Sequence, residues 1–221
     1  MRRVVNRKSS RNPRRSGPRG LFISFEGIDG SGKSTQLRKA ARYLRALGKT
    51  VVTVREPGST RLSEGIRRLL LRKGATIDPT AELLLYIAAR AQLVSERIRP
   101  ALTQGAIVLC DRFHDSTVAY QGFGRGLEFS KIELLRRIAV GDTMPDHTFI
   151  YDIDPSGSLA RRKKNSDRLE SEENRFFTKV ARGFRAIAQA ERERASLIDA
   201  RRPIEAVWAD TKAALDALVA Q

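Results

Sequence analysis

A glycine-rich run near the N-terminus holds the residues with the clearest chemistry. Residues 27–34 read GIDGSGKS and fit the pattern G-x-x-x-x-G-K-[ST] in full, between an apolar run and a helical pattern. Glycines let backbone N–H groups surround phosphate oxygens, Lys33 can reach the β- and γ-phosphates, and the Ser34 hydroxyl can ligate Mg²⁺. The run therefore predicts a P-loop that binds a nucleoside triphosphate with Mg²⁺. The phosphate-binding residues that we expect are Gly27, Ile28, Asp29, Gly30, Ser31, Gly32, Lys33, Ser34 and Thr35.

A second candidate for the metal site is an aspartate that follows an apolar run. Asp111 comes directly after residues 106–110 (AIVLC), which we predict to be a strand. P-loop proteins hold Mg²⁺ with an aspartate at this place, directly or through water. An aspartate here could instead cap the next helix, which is common. The P-loop upstream favours the metal role, so we expect Ser34 and Asp111 to bind Mg²⁺ together.

The elements that must position these residues alternate along the chain. Apolar and β-branched runs predict strands at 21–26, 50–54, 106–110, 147–153 and 196–199. Helical spacing predicts helices at 33–47, 62–72, 79–102, 131–140, 156–164, 172–195 and 204–219, the third with a kink near Pro100. Alternation of this kind indicates an α/β fold of the P-loop NTPase type, with a parallel sheet of about five strands between helices. Ligands of such sheets bind at the carboxyl ends of the strands, where the candidate residues lie.

Charge divides the chain into a basic tail and one domain. The net charge is +17, and residues 1–20 hold eight Lys or Arg side chains and no acidic residue. We expect this stretch to be a disordered tail, and residues 21–221 to form one domain. The tail could bind nucleic acid, but a solvated extension is the simpler interpretation, so a nucleic-acid partner is not expected.

Cysteine content and hydropathy bear on the compartment. The chain has one cysteine, Cys110, so it cannot form an intrachain disulfide. Its apolar runs are shorter than the roughly 18–20 residues that a membrane helix needs. The basic N-terminus also lacks the apolar region of a secretory signal. We therefore expect a cytoplasmic protein with no membrane contact.

Four segments in register give the chain a family resemblance. They are residues 26–36 (EGIDGSGKSTQ), 55–58 (REPG), 111–121 (DRFHDSTVAYQ) and 145–155 (PDHTFIYDIDP). Together they resemble bacterial thymidylate kinase over nearly the whole chain apart from the tail. The resemblance implies transfer of the γ-phosphate of ATP to dTMP. It also implies a homodimer, in which the long helical stretch after Pro79 packs against its twin.

The resemblance also implies a role for each residue of the acceptor site. Arginines at two matching positions, Arg67 and Arg112, would hold the dTMP phosphate, for which a planar guanidinium is well suited. The base would stack on Tyr86, and Arg90 would bond a base carbonyl. Asp29 would touch the 3′-hydroxyl or a metal-bound water. The dTMP-binding residues expected in all are Asp29, Glu56, Pro57, Arg67, Tyr86, Arg90, Arg112, Ser116, Thr117 and Gln121.

Each of these residues, taken alone, has a simpler explanation. Tyr86 lies in an apolar stretch and could be a core residue. Arg90 could be a surface residue, and Arg67 could be one charge of a solvated helix face. Ser116 and Thr117 could be helix caps. Only the common register favours the binding roles.

A basic cluster follows the fourth predicted strand, where the resemblance implies a small mobile lid at about residues 157–172. Its members are Arg161, Arg162, Lys163, Lys164 and Arg168. The family carries its catalytic arginine either in the P-loop or in the lid, and residues 28–31 contain no arginine. We therefore expect the lid type, although the cluster could also be a solvated loop. The catalytic residues that we expect are Lys33, Arg112, Arg161 and Arg168, with Arg161 and Arg168 preferred to Arg162.

Departures from the family pattern are few. Ser59 stands in REPGST where glycine is usual, Tyr86 stands where phenylalanine is usual, and Leu93 stands where histidine is common. The resemblance also implies a cis peptide bond at Pro57. A kinase for another acceptor is the main rival hypothesis. A nucleoside kinase would need a general base for a neutral hydroxyl, and Arg67 and Arg112 favour a phosphate acceptor instead.

Overall fold

Five parallel strands form one sheet in the computed structural model, which describes residues 19–161, 168, 172 and 174–220. The strands are β1 (Phe22–Glu26), β2 (Val51–Arg55), β3 (Ile107–Asp111), β4 (His147–Asp152) and β5 (Ala195–Asp199). Their order across the sheet is β2-β3-β1-β4-β5. The α/β fold and its five-stranded parallel sheet are thus confirmed, and β1 lies at the centre with its carboxyl end next to those of β3 and β4.

Helices cover both faces of this sheet. They are α1 (Lys33–Ala46), α2 (Arg61–Leu71), α3 (Pro79–Leu93), α4 (Arg99–Thr103), α5 (His114–Thr117), α6 (Phe129–Val140), α7 (Pro155–Arg161), α8 (Asn174–Ala190) and α9 (Ile204–Val219). Capping side chains explain where two of these helices begin. Thr60 Oγ1 accepts a hydrogen bond from Ser63 N ahead of α2, and Asp78 caps α3 with Pro79 at its first turn.

The core has one layer on each face of the sheet. Residues of β1 and β4 pack with α1, α8 and α9 on one face, including the stacked rings of Phe25 and Tyr151. The other face packs Phe22 against Phe113, edge to face at 5.0 Å, together with residues of α3 and α4. The central strand is therefore buried along its whole length, which gives the P-loop after it a rigid base.

The long helical stretch after Pro79 differs from the prediction. It is not one helix kinked at Pro100, because a π-helical segment, Val94–Ile98, separates α3 from α4. Pro100 lies in the first turn of α4, where its missing N–H is tolerated. The wider turn thus comes ahead of the proline.

A second helical segment was not predicted at all. The short helix α5 continues into a π-helical segment, Val118–Gly124. A Cβ on Gly122 would lie 2.5 Å from the ring of Phe129, and one on Gly124 would lie 2.6 Å from that of Phe176. These two glycines resemble loop residues in sequence, but here they let the segment pack closely against α6 and α8.

Two predicted segments, the basic tail and the lid, lie mostly outside the described residues. Residues 1–18 of the basic tail lie there, whereas Gly20 contacts the domain through a hydrogen bond from its N–H to Leu102 O. Most of the predicted lid also lies there, including Arg162, Lys163 and Lys164. Within the described part of the chain, no helix is long and apolar enough to cross a membrane.

Candidate functional site

The P-loop joins the carboxyl end of β1 to the first turn of α1. Gly30 and Gly32 have φ angles of 82° and 86°, a region in which a side chain is strained. A Cβ on Gly30 would also lie 2.5 Å from the carbonyl oxygen of Ser158 in α7. The loop can thus turn tightly and present backbone N–H groups at the start of a 14-residue helix, as phosphate binding requires.

Lys33, Ser34 and Asp111 meet beside this loop. The ammonium of Lys33 donates to Asp29 Oδ1 at 3.2 Å, and its side chain is almost fully buried. The Ser34 hydroxyl donates to Asp111 Oδ2 at 2.5 Å. A hydroxyl and a carboxylate this close together are oxygen ligands of the kind that Mg²⁺ prefers, so the residues present fit the predicted metal.

A pocket with a free volume of about 550 Å³ opens next to the P-loop. We call it the acceptor pocket, because all ten residues predicted to bind the acceptor line it: Asp29, Glu56, Pro57, Arg67, Tyr86, Arg90, Arg112, Ser116, Thr117 and Gln121. They come from five separate parts of the chain. Leu71, Phe113 and Tyr120 also line it, and sequence reasoning missed them. The only available signal was that Phe113 and Tyr120 lie within the 111–121 motif.

Arg90 lies deep in this pocket and is only 1% exposed, so the alternative of a surface residue is wrong. Its Nε donates to Glu56 Oε2 at 2.7 Å, and its Nη2 donates to Phe113 O and Thr117 Oγ1. Arg90 Nη1 and Glu56 Oε1 are buried with no partner in the described structure. Buried polar atoms are seldom left unpaired, so these two atoms suit a ligand. Burial raises the pKa of Glu56, although Arg90 opposes the shift.

Tyr86 is half-buried and takes part in both the core and the pocket. One side of its ring packs against a small cluster with Ile66, Leu70 and Ala89. The residue also lines the acceptor pocket, four positions before Arg90 on α3. Burial raises the pKa of its hydroxyl, and the Glu82 carboxylate adds to the shift.

Arg112 connects the acceptor pocket to the P-loop. Its guanidinium donates to Asp29 Oδ1 at 2.7 Å, to Gly27 O at 2.9 Å and to Ser116 Oγ at 3.1 Å. Burial would raise the pKa of Asp29, but the charges of Arg112 and Lys33 outweigh it and hold that pKa below its usual range. Asp29 is thus ionised between two cations, where the P-loop meets the pocket.

The backbone of Arg112 is strained. Its φ is 70°, and Ser59 is the only other non-glycine residue with a positive φ in the described part of the chain. Such a conformation costs on the order of 1–3 kcal/mol and persists only where neighbouring contacts impose it.

Arg67 and Gln121 also form hydrogen bonds next to the pocket. Arg67 Nη1 donates to the carbonyl of Pro57, and the Glu56–Pro57 peptide bond is cis, as predicted. Gln121 Nε2 donates to Glu82 Oε1 at 2.9 Å.

The two predicted lid arginines lie at different ends of the site. Arg161 Nη1 donates to Ala200 O at 2.8 Å, in a cleft of about 1930 Å³ that extends from the P-loop to residues 200–204. Arg168 Nε donates to Leu70 O at 2.8 Å, and its guanidinium pairs with Glu82 beside the acceptor pocket. Arg161 therefore lies on the side of the P-loop cleft, and Arg168 lies near the pocket.

Comparisons with known proteins agree with this geometry. A family model described as thymidylate kinase matches residues 25–211. A thymidylate kinase from Bifidobacterium longum is 47% identical over 194 residues, covering 86% of this chain and 94% of the relative. One from Chlorobium luteolum is 44% identical over 200 residues with the same coverage. The crystal structure of thymidylate kinase from Ehrlichia chaffeensis has a TM-score of 0.75 and 39% identity, covering 90% of this chain and 99% of that one.

Proposed function

The chain belongs to the thymidylate kinase family and is a kinase that transfers a phosphate group from ATP to dTMP, and we propose that it does so at the junction described above. The γ-phosphate of ATP is held by the P-loop, and the dTMP phosphate is held in the pocket next to it. The product is dTDP, the precursor of dTTP.

The observation that carries this proposal is the position of Arg112. Its guanidinium lines the acceptor pocket and also bonds the P-loop through Gly27 and Asp29. One side chain can therefore contact the acceptor phosphate and the transferred group together. Phosphoryl transfer depends mainly on positioning and charge stabilisation, which two guanidiniums, Arg67 and Arg112, supply with Lys33.

Residues at the deep end of the pocket recognise the base. Tyr86 offers an aromatic face, and base stacking on such a ring is favourable. The unpaired Nη1 of Arg90 donates to a carbonyl oxygen of thymine. Thr117 and Gln121 contact the base or the sugar, while Asp29 receives the 3′-hydroxyl or a metal-bound water.

Ser34 and Asp111 would hold Mg²⁺, with Asp111 acting directly or through water. The bound ion would neutralise charge on the β- and γ-phosphates. The lid supplies the remaining positive charge through Arg161 and Arg168, because residues 28–31 contain no arginine. Closure of residues 157–172 over both substrates would exclude water and so suppress hydrolysis of ATP.

The protein acts as a homodimer in the cytoplasm. Three neighbouring helices, α2, α3 and α6, carry large exposed apolar side chains, which a partner would cover. They are Leu62, Leu69, Leu84, Leu134 and Ile138. The single cysteine, buried in β3, is consistent with a reducing compartment.

An acceptor panel tests the proposed function. ADP release is coupled to a spectroscopic readout with ATP, Mg²⁺ and dTMP, dUMP, dCMP, dGMP or AMP, and thymidine serves as the acceptor without a phosphate. We expect dTMP to give the highest kcat/KM and thymidine to give no turnover. A purine monophosphate that reacts faster than dTMP would disprove the assignment.

A further inference from the structure

Glu26, the last residue of β1, is a buried carboxyl group to which the mechanism above gives no part. Its side chain is fully buried. Oε1 accepts a hydrogen bond from Phe113 N at 2.6 Å, and Oε2 accepts one from Ser116 Oγ at 2.6 Å. Phe113 lies in the turn that follows β3 and Ser116 lies in α5, 87 and 90 residues away in sequence. The carboxyl group therefore joins the base of the P-loop to the turn that carries Arg112.

That turn holds Arg112 in its strained conformation. On one side, Arg112 N donates to Phe25 O at 3.0 Å, and on the other Phe113 N donates to Glu26. Ser116 Oγ donates to Glu26 and itself accepts from Arg112 Nη1 at 3.1 Å. Glu26 thus restrains both the backbone and the guanidinium of Arg112. Without it, the arginine could relax to a negative φ and direct its side chain elsewhere.

We propose that Glu26 is a positioning residue for phosphoryl transfer, which holds Arg112 in the left-handed turn where its guanidinium reaches both phosphates. The inference rests on the proposed function, because it assigns to Arg112 the contact with the acceptor phosphate. Glu26 itself touches neither substrate. Its effect on the reaction is exerted through Arg112 and Ser116.

The protonation state of Glu26 supports this role. Burial raises the pKa of Glu26 to about 8, and the Asp115 carboxylate adds to the shift, while Ser116, Arg112 and Phe113 oppose it. Glu26 also interacts electrostatically with Cys110, and burial raises the pKa of that thiol well above its usual value. The ionised carboxylate accepts from a donor at each oxygen, whereas protonation turns one oxygen into an O–H donor and so weakens one of these bonds. Its hold on the turn therefore strengthens as the pH rises through about 8.

A double-mutant cycle tests the proposal in the full-length protein. Glu26→Gln keeps the shape of the side chain and removes the charge. We expect kcat for dTMP to fall at least tenfold at pH 8.5 and less at pH 7, with KM for ATP changed less than twofold. In an Arg112→Ala background the same substitution should change kcat less than threefold, because the residue through which it acts is gone. Asp216→Asn, which removes a surface carboxylate bonded to Tyr43, is the matched control and should keep wild-type kinetics.

The outcomes of this experiment distinguish failure of the proposed function from failure of the positioning role of Glu26. A wild type that does not phosphorylate dTMP would contradict the proposed function. If the wild type is active, an equal loss of kcat in both backgrounds would show that Glu26 has a merely structural role. No loss of kcat would show that Glu26 has no role. Either result overturns the inference. Circular dichroism monitors folding of each variant. If Glu26→Gln does not fold, the wild type decides: kcat should rise about tenfold between pH 7 and 9 for a group with a pKa of about 8, and a flat profile would refute the proposal.

Discussion

At the scale of single residues, the acceptor site depends on where two guanidinium groups enter it. Arg67 comes from α2 and bonds the Pro57 carbonyl, whereas Arg112 comes from the turn after β3 and bonds the P-loop. Their surroundings therefore differ, although the family resemblance implies a phosphate contact for both. In the proposed function, Arg67 holds the acceptor phosphate, and Arg112 contacts both the acceptor phosphate and the transferred group.

Substitution of Arg67 should weaken binding of the acceptor. We expect Arg67→Ala to raise KM for dTMP at least tenfold, since loss of a charge-assisted bond to phosphate costs about 1.5–3 kcal/mol. Steady-state kinetics with dTMP varied at saturating ATP measures this change. The matched control is Arg68→Ala on the same helix, because Arg68 is exposed and the next residue in sequence. Equal effects of the two substitutions would mean that charge on α2, and not contact with the phosphate, is what matters.

At the scale of elements, we propose that the end of α7 and the segment after it bring charge to a P-loop in which residues 28–31 contain no arginine. The described residues of this stretch form contacts in two different places. Arg161 reaches the loop after β5, and Arg168 reaches Glu82 on α3. Glu172 pairs with Arg125, which also pairs with Glu82. Glu82 also bonds Gln121, which lines the acceptor pocket, so loss of Arg168 can affect the binding of dTMP as well as the chemistry.

Removal of the lid arginines should lower kcat more than it weakens binding. We expect Arg161→Ala or Arg168→Ala, or failing that the double variant, to reduce kcat at least tenfold, because charge supplied on closure acts mainly in the transition state. Calorimetric titration should give a dTMP affinity close to that of the wild type. Arg182→Ala, an exposed arginine of α8, is the control. A normal kcat in the double variant would place the catalytic charge elsewhere, and a lost dTMP affinity would make Arg168 a binding residue.

At the scale of the whole molecule, the apolar surface of α2, α3 and α6 bears on assembly. Its most exposed large member, Ile138, is 73% exposed, and Leu84 of α3 and Leu134 of α6 are about half exposed. The three helices pack side by side, with α3 between the other two. A second copy applied to this surface would cover these side chains, as the family resemblance implies.

A charge introduced on this surface should separate the subunits. Light scattering at micromolar concentration should give about twice 24.7 kDa for the wild type and about 24.7 kDa for Ile138→Glu, because a dimer would bury the new carboxylate without a partner. Leu47→Glu introduces the same charge at another exposed apolar residue, after α1, and should leave the dimer intact. A wild type that is monomeric and fully active would remove the claim of a dimer.

The sequence by itself determined the local features of this protein. The P-loop is contiguous and lies between a strand and a helix, so its pattern alone predicted it, and the five strands follow from short apolar runs. The ten predicted acceptor residues come from the register with the family. Most of them meet in one pocket because the carboxyl ends of parallel strands lie at one edge of the sheet, and α2 and α3 bring Arg67, Tyr86 and Arg90 to the same pocket.

Only the tertiary structure decided what depends on distant partners. Arg90 is buried because Glu56, Phe113 and Thr117 bond it from 34, 23 and 27 residues away, and no local pattern shows that. The conformation of Arg112 likewise depends on Glu26, which a reading along the chain treats only as the residue before the P-loop. Hydrogen bonds formed across the fold are set by the packing of the sheet and its helices, and sequence spacing does not encode them.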